Sequence, residues 1–306
     1  MILDDMTQAI GRTPLLRLNR FIPAAEAEVL AKLELFNPYS IKDRPVLFMI
    51  RDAEERGILK PGGTIVEATS GNTGMAIAMI AAARGYGCVL VMSAIQSNER
   101  RQVLRALGAE VVLTPADGGT KAAREEAKHI AQKRGAFYIG QHENPNNPRA
   151  HFETTGPELL EQTEGRIDAL VAGLGTGGTL VGCAKAIKPQ KPTFHTVGVE
   201  PEHSPFISQG IFAPHRMMGT APGFVPPVLE RDLIDEIALV SEAEAFAACG
   251  EIARTEGILV GISSGAIGVV LRRMAGDPKW AGKTIAGVFC DSGQRYLSVE
   301  GLFPVS

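Results

Sequence analysis

Short β-branched runs alternate with longer stretches of helical periodicity along most of the chain. Thr64–Ala68 reads as a buried strand, followed by a helix over Gly74–Arg84 rich in Ala, Met and Ile. Cys88–Met92 is the next strand and leads to a helix over Ser97–Leu107. Glu110–Leu113 then leads to a helix over Thr120–Lys133. A second run starts near Asp168, with a strand at Ala169–Ala172, a helix at Thr179–Ile187 and a strand at His195–Val199. Helices over Glu242–Glu256 and Gly265–Met274 and a strand at Thr284–Phe289 complete it. Such repetition implies parallel sheets with helices on both faces, an α/β fold. Between the runs, Glu143-Asn144-Pro145-Asn146-Asn147-Pro148 reads as irregular backbone, because proline pushes its predecessor out of the helical region. A domain boundary is expected there. Two doubly wound, three-layer domains would then meet at a cleft, with loops from the carboxyl ends of the strands converging on it.

A length of 306 residues suits two such domains, and 45% apolar with 21% charged residues is ordinary for a globular chain. The net charge of -3 and the lack of a long Lys/Arg run leave nucleic acid or an anionic membrane without an electrostatic footprint. Met1–Asp5 is acidic, unlike a signal peptide, and the longest apolar stretch, Met75–Ala83, falls short of the ~20 residues that span a bilayer. A cytoplasmic protein is expected. Cys88, Cys183, Cys249 and Cys290 lack metal-ligand spacing, so reduced thiols and no metal are expected.

Three segments carry candidate chemistry. Glu67-Ala68-Thr69-Ser70-Gly71-Asn72-Thr73-Gly74 lies between a strand and a helix. Its glycines, hydroxyls and amide exceed what a helix cap needs and suit a carboxylate or phosphate at a helix N-terminus. Gly173-Leu174-Gly175-Thr176-Gly177-Gly178-Thr179 sits in the same context and suits a phosphate cradled by backbone amides. Gly173, Gly175 and Gly178 also satisfy the dinucleotide fingerprint, with Glu200 at the distance expected of a ribose-binding acid. A dinucleotide-dependent oxidoreductase is therefore the rival from another class of chemistry. The third segment is Lys42, within Ser40-Ile41-Lys42-Asp43-Arg44 after the turn Asn37-Pro38.

Read together, these segments resemble the β-family (fold type II, tryptophan-synthase-β-like) of pyridoxal phosphate (PLP) enzymes, and within it the cysteine synthases, or O-acetylserine sulfhydrylases. Further motifs extend the likeness over nearly the whole chain. They are Ile10-Gly11-Arg12-Thr13-Pro14-Leu15, Gln141-His142-Glu143-Asn144-Pro145, Thr154-Thr155-Gly156-Pro157-Glu158, Gly223-Phe224-Val225-Pro226, Gly261-Ile262-Ser263-Ser264-Gly265 and Arg295-Tyr296-Leu297-Ser298.

The resemblance implies a role for each matching position. Lys42 would hold PLP as a Schiff base and, once released, act as general base. Asn72 would bond the ring hydroxyl, and Gly175, Thr176, Gly177, Gly178 and Thr179 would form the phosphate cup. Ser263 would face the pyridine nitrogen, where a neutral hydroxyl favours α,β-elimination over transamination. Thr69, Ser70, Gly71, Thr73, Gln141 and Gly219 would bind the substrate. The implied reaction is β-replacement, O-acetyl-L-serine plus sulfide to L-cysteine plus acetate, through an α-aminoacrylate with ping-pong kinetics. O-phosphoserine, serine, and desulfhydrase or lanthionine-type chemistry remain open. A phosphate leaving group would enlist a cation such as Arg216 or Arg100, and both read as surface charges. The resemblance further implies a homodimer, a smaller mobile carboxylate-binding domain over 42–145, and a larger PLP-phosphate-binding domain over 1–41 plus 146–306.

The match is not uniform. The turn Asn37-Pro38-Tyr39-Ser40-Ile41-Lys42 is one residue shorter than in relatives, with a bulky Tyr39. Ala221-Pro222 stands where Gly-Ala is common, which predicts a stiffer loop. Ser93–Arg100 departs from the family's usual Met-Pro start.

Overall fold

The computed structural model describes residues 2–23, 25–95 and 98–303. The chain opens with strands β1 (Leu15–Arg17) and β2 (Glu28–Leu33), then helix α1 (Asp43–Glu55). Next come β3 (Thr64–Ala68), α2 (Asn72–Arg84), β4 (Gly87–Ser93), α3 (Asn98–Ala106), β5 (Glu110–Thr114), α4 (Gly119–Arg134) and β6 (Phe137–Tyr138). Helices α5 (Asn146–Ala150) and α6 (Gly156–Gln162) flank one π turn and precede β7 (Ile167–Gly173), α7 (Gly178–Ile187) and β8 (His195–Pro201). The remainder is α8 (Phe206–Gln209), β9 (Glu236–Val240), α9 (Glu242–Glu256), α10 (Ile262–Ala275) and β10 (Thr284–Phe289). Contacts divide the chain into unit one, Met1–Ile10 with Asn37–Asn147, and unit two, Gly11–Phe36 with Pro148–Ser306.

Unit one holds a parallel four-stranded sheet in the order β5-β4-β3-β6. Alternate residues of β3 and β4 feed opposite layers. Ile65 and Leu90 pack with Val46, Ile50, Ile77 and Ile80 of α1 and α2, whereas Val66, Val89 and Val91 pack with Ala123, Ala127 and Ile130 of α4. Burial on both faces is why these strands read as continuous apolar runs. Helix α2 is buried continuously from Ala76 to Ala81, so it lacks the polar stripe of a surface helix.

Unit two holds a six-stranded sheet in the order β1-β2-β10-β7-β8-β9, parallel except for the β1 edge. Ala169, Val171 and Val197 pack with Ala245, Ile252, Ile267 and Leu271 of α9 and α10. Strand β2 escapes the apolar pattern because Lys32 stands in it fully buried. Its Nζ donates to the Thr13 carbonyl (2.6 Å), Glu158 (2.7 Å) and Gln162 (2.9 Å). Three acceptors offset the desolvation of a charge that would otherwise exclude this residue from a core.

Two expectations need correction. The Asn/Pro segment is not wholly irregular, since α5 starts at Asn146. The Asn144 side chain accepts from Asn146 N (3.0 Å), and Pro148 falls in the first turn, where a missing N–H breaks no helical bond. Helix α10 starts at Ile262 rather than Gly265, because its N-cap is Gly261, without a side chain to mark the start. Ser97, the expected start of α3, lies outside the described residues, as does Gln96.

Candidate cofactor and substrate site

In unit one, Lys42 caps the N-terminus of α1. The turn before it is held by Asp43, whose Oδ2 accepts from the backbone of Tyr39 (2.7 Å) and Ser40 (3.2 Å). Tyr39 packs against the unit's core, which is where the shortened turn puts its bulk. The Lys42 amine makes no hydrogen bond or ion pair among the described residues. Its charge nevertheless reaches His142, whose pKa falls to about 4 through burial first, then Arg124 and Lys42. His142 is therefore a neutral imidazole at physiological pH.

The carboxyl end of β3 runs into the loop at 69–71, and α2 begins at Asn72 with Gly71 as an N-cap lacking a side chain. Thr69 continues the ladder through its N–H to the Val91 carbonyl (3.0 Å). Thr69, Ser70, Gly71 and Asn72 are partly buried, and Thr73 is buried. Across the sheet end stands Gln141, whose Oε1 accepts from the Thr73 hydroxyl (2.6 Å). The amide is thereby oriented, and its Nε2 makes no hydrogen bond among the described residues. Asn147 holds the Gln141 carbonyl (2.7 Å), and the Gln141 N–H donates to the buried carboxylate of Glu67 (3.0 Å). This gathers Thr69, Ser70, Gly71, Asn72, Thr73 and Gln141 at one end of one sheet. It adds Glu67 and Asn147, which lie in quoted segments but were given no role; an acid in a strand buried on both faces was the available signal.

In unit two, Gly175–Thr179 joins β7 to α7. A methyl group at Gly175 would lie 2.2 Å from the Gly219 carbonyl oxygen, and one at Gly177 2.2 Å from Leu229 Cδ1. Gly177 also has φ +79° and is the N-cap of α7. The loop thus requires glycine for space and for conformation. Thr176 is buried and its hydroxyl accepts from Gly178 N (3.3 Å). The Thr179 hydroxyl meets Nε2 of buried His151 (3.3 Å), whose Nδ1 contacts Thr155 (2.8 Å). Ser263 lies in the first turn of α10, and Gly219 (φ +88°) turns the chain beside Gly175.

A bare glycine loop on a helix N-terminus with two hydroxyls, and no basic side chain within it, fits a phosphate group. It does not fit a dinucleotide with Glu200 on the ribose. Glu200 is buried and already accepts from Ile207 N (2.7 Å), Ser208 N (2.9 Å) and the Ser208 hydroxyl (2.7 Å), holding α8. Arg216 is engaged by Glu242 (2.8 Å) and the Glu300 carbonyl (3.0 Å). Burial pushes the Cys88 and Cys249 thiols up to about 12, too high for a nucleophilic thiolate.

Known proteins resemble the chain over nearly its whole length. Over residues 6–291 the chain matches the family model described as pyridoxal-phosphate dependent enzyme. A cysteine synthase of Staphylococcus aureus (strain N315) is 46% identical over 297 residues, covering 96% of each chain. Among solved structures, an O-ureido-L-serine synthase superposes with a TM-score of 0.96 at 41% identity, covering 100% of this chain and 97% of that one. A cysteine synthase of Entamoeba histolytica gives 0.95 at 34% identity, covering 100% and 92%. The dinucleotide alternative is thereby overturned, and the chain belongs to the pyridoxal-phosphate dependent enzyme family.

Proposed function

We propose that the protein is a cysteine synthase that replaces the acetoxy group on the β-carbon of O-acetyl-L-serine by sulfide, giving L-cysteine and acetate. The observation that carries this reading is the Thr73–Gln141 hydrogen bond, which fixes a buried amide so that its Nε2 is left to donate. A donor fixed beside a hydroxyl-rich helix N-terminus suits the α-carboxylate of an amino acid.

Gly175, Thr176, Gly177, Gly178 and Thr179 would hold the PLP phosphate, Asn72 its ring hydroxyl, Ser263 its ring nitrogen, and Lys42 would carry its aldehyde carbon. When bound, PLP supplies an electron sink for bond breaking at the substrate Cα. The chain's part is positioning and proton movement. Gln141, Thr69, Ser70 and the backbone at Gly71 grip the carboxylate, fixing the Cα–H bond, and Gly219 borders the substrate. Lys42 Nζ takes the α-proton, acetate leaves the β-carbon, and sulfide adds there. The Ser263 hydroxyl cannot hold a proton on the ring as a carboxylate would, which favours loss of a β-substituent over transamination.

Unit one is the carboxylate-binding part and, in this reading, the one that tightens on binding. Slower hydrogen exchange in residues 42–145 on adding substrate checks that. A homodimer in the cytoplasm is part of the proposal by likeness to the family, and sedimentation and cell fractionation test it. Among the described residues no helix is long and apolar enough to cross a membrane.

The deciding experiment is the visible spectrum of purified protein with O-acetylserine and then sulfide. A cofactor band that changes with O-acetylserine and returns with sulfide supports the reaction. A band indifferent to O-acetylserine moves the substrate to O-phosphoserine or serine. Lys42→Ala is expected to lower turnover by at least ~10²–10⁴-fold, the contribution of a placed general base, in protein that still folds. Retained turnover removes Lys42 from this role.

A further inference from the structure

Glu67 is a carboxylate buried at the end of strand β3; two of its hydrogen bonds point at the proposed carboxylate-binding segment, and the Tyr138 hydroxyl supplies another. Its Oε1 accepts from the N–H of Ala68 (2.8 Å), the residue before Thr69. Its Oε2 accepts from the N–H of Gln141 (3.0 Å), 74 positions along the chain. The Gln141 side chain in turn accepts from Thr73 (2.6 Å). One carboxylate therefore ties the loop at 69–73 to Gln141, the two parts of the candidate carboxylate site. From this geometry we infer that Glu67 is a positioning residue whose ionised form sets the affinity for the amino-acid substrate, so that the site loosens when Glu67 takes up a proton. The inference rests on the reading of Thr69–Thr73 and Gln141 as the carboxylate site.

The groups facing Glu67 set when this happens. Arg124 of α4 and the Tyr138 hydroxyl of β6 favour the charged form, together with the two backbone N–H groups. Glu143 bears on Tyr138 and forms an ion pair with Lys128 (3.1 Å), whose ammonium lies over the Tyr138 ring. In the neighbouring strand β4 the one titratable side chain is Cys88, paired with Ile65, and burial pushes its thiol up to about 12. Burial outweighs all of these and pushes the Glu67 pKa up to about 7. Above that pH both oxygens accept. Below it, one oxygen carries a hydrogen and serves an N–H less well. The bond to Ala68 is local, so the long-range bond to Gln141 is the one released. Glu67 is buried and bonds the Gln141 backbone, so in this proposal it acts through Gln141.

The test uses holoenzyme and its Glu67→Gln variant between pH 5.5 and 8.5. It measures KM and kcat for O-acetylserine, and L-serine affinity from the cofactor's visible absorbance. In the wild type, KM and the L-serine Kd are expected to rise as pH falls below about 7, by up to ~tenfold per pH unit, without a matching step in kcat. The variant should show weak affinity with that step absent. Wild-type and variant affinity profiles that run parallel would overturn the inference. Thermal midpoints add a readout independent of turnover. A carboxyl whose pKa is raised from 4.5 to about 7 on folding supplies stability that is complete below 4.5 and lost as pH rises through 7. The wild-type midpoint should therefore fall across that window relative to the variant, and equal slopes count against the inference.

Serine affinity that follows Glu67 without any O-acetylserine turnover sinks the proposed reaction and keeps this inference. Turnover with an affinity blind to Glu67 does the reverse. Should Glu67→Gln fail to fold, Tyr138→Phe keeps the carboxylate but removes a hydroxyl that favours its charge. The affinity midpoint must then move to higher pH, and an unmoved midpoint overturns the inference.

Discussion

Two strand-to-helix loops of this protein, residues 69–71 in unit one and 174–177 in unit two, occupy equivalent places in their sheets yet are built oppositely. The first presents side chains. Hydroxyls line it, the Thr73 hydroxyl holds the Gln141 side-chain amide, and the buried Glu67 carboxylate holds the Gln141 N–H. Its N-cap Gly71 has φ -118° and no atom within 4 Å of where a side chain would start. The second presents backbone. Its glycines are packed to contact, with 2.2 Å to the nearest atom from a methyl at either Gly175 or Gly177. A loop of side chains can be tuned by pH and retargeted by substitution, which suits a substrate that comes and goes. A loop of packed glycines offers fixed amides and nothing to titrate, which suits a phosphate that stays.

The largest effect expected from this contrast comes from placing alanine in each loop. Gly175→Ala drives a methyl group into the Gly219 backbone carbonyl, which has no flexible end to move aside, so the cup must open. PLP affinity should fall by ~10²-fold or more, equivalent to ~2.7 kcal/mol, read by titrating cofactor into protein freed of it. Gly71→Ala meets no neighbour and a φ that alanine adopts, so PLP affinity should change by less than ~threefold. Equal losses in the two variants would erase the distinction between the loops.

How legible each loop was in sequence follows from the same contrast. Glycine spacing in 173–178 announced a phosphate site but equally fitted a dinucleotide. Glu200, spent on holding α8, and the match to the pyridoxal-phosphate dependent enzyme family separate the two. Alternation located β3, β10 and α9 to the residue, because burial on both faces or a Ser241–Glu244 capping box marks them. It passed over β2, whose buried Lys32 breaks the apolar run, and α1, which starts beneath a lysine and holds proline in its first turn. The members of the carboxylate site were named from motifs. Their support was not, because Glu67 and Gln141 are joined only by the fold.

A mid-sized effect should come from the hydroxyl that orients Gln141. Thr73→Val keeps the shape and removes the donor, leaving the Gln141 Oε1 buried without its partner. An unsatisfied buried acceptor costs about 1–3 kcal/mol, and the amide can then turn over. KM for O-acetylserine is expected to rise ~tenfold with kcat within ~twofold, while PLP affinity stays put. A fall in PLP affinity instead would mean that Thr73 supports the cofactor contact proposed for its neighbour Asn72 rather than the substrate carboxylate.

The smallest effect concerns what braces the glycine cup. Ala221 adopts φ +42°, a left-handed conformation that alanine disfavours, and its N–H donates to the Leu174 carbonyl (2.8 Å) beside Gly175. The following Pro222 biases residue 221 toward extended backbone in the unfolded chain, so folding must work against that bias. Ala221→Gly removes a strain of about 1–2 kcal/mol but adds freedom to the unfolded state worth about 0.4–1 kcal/mol. The net gain should be near 1 kcal/mol or less, a rise of a few degrees at most in the thermal midpoint at fixed PLP. If the midpoint rises while PLP affinity falls, the strained alanine is what keeps the cup in its binding shape, stability given up for preorganisation. If the midpoint falls, the left-handed alanine is not strained in this loop. The rigidity of the second loop would then rest on its packed glycines alone.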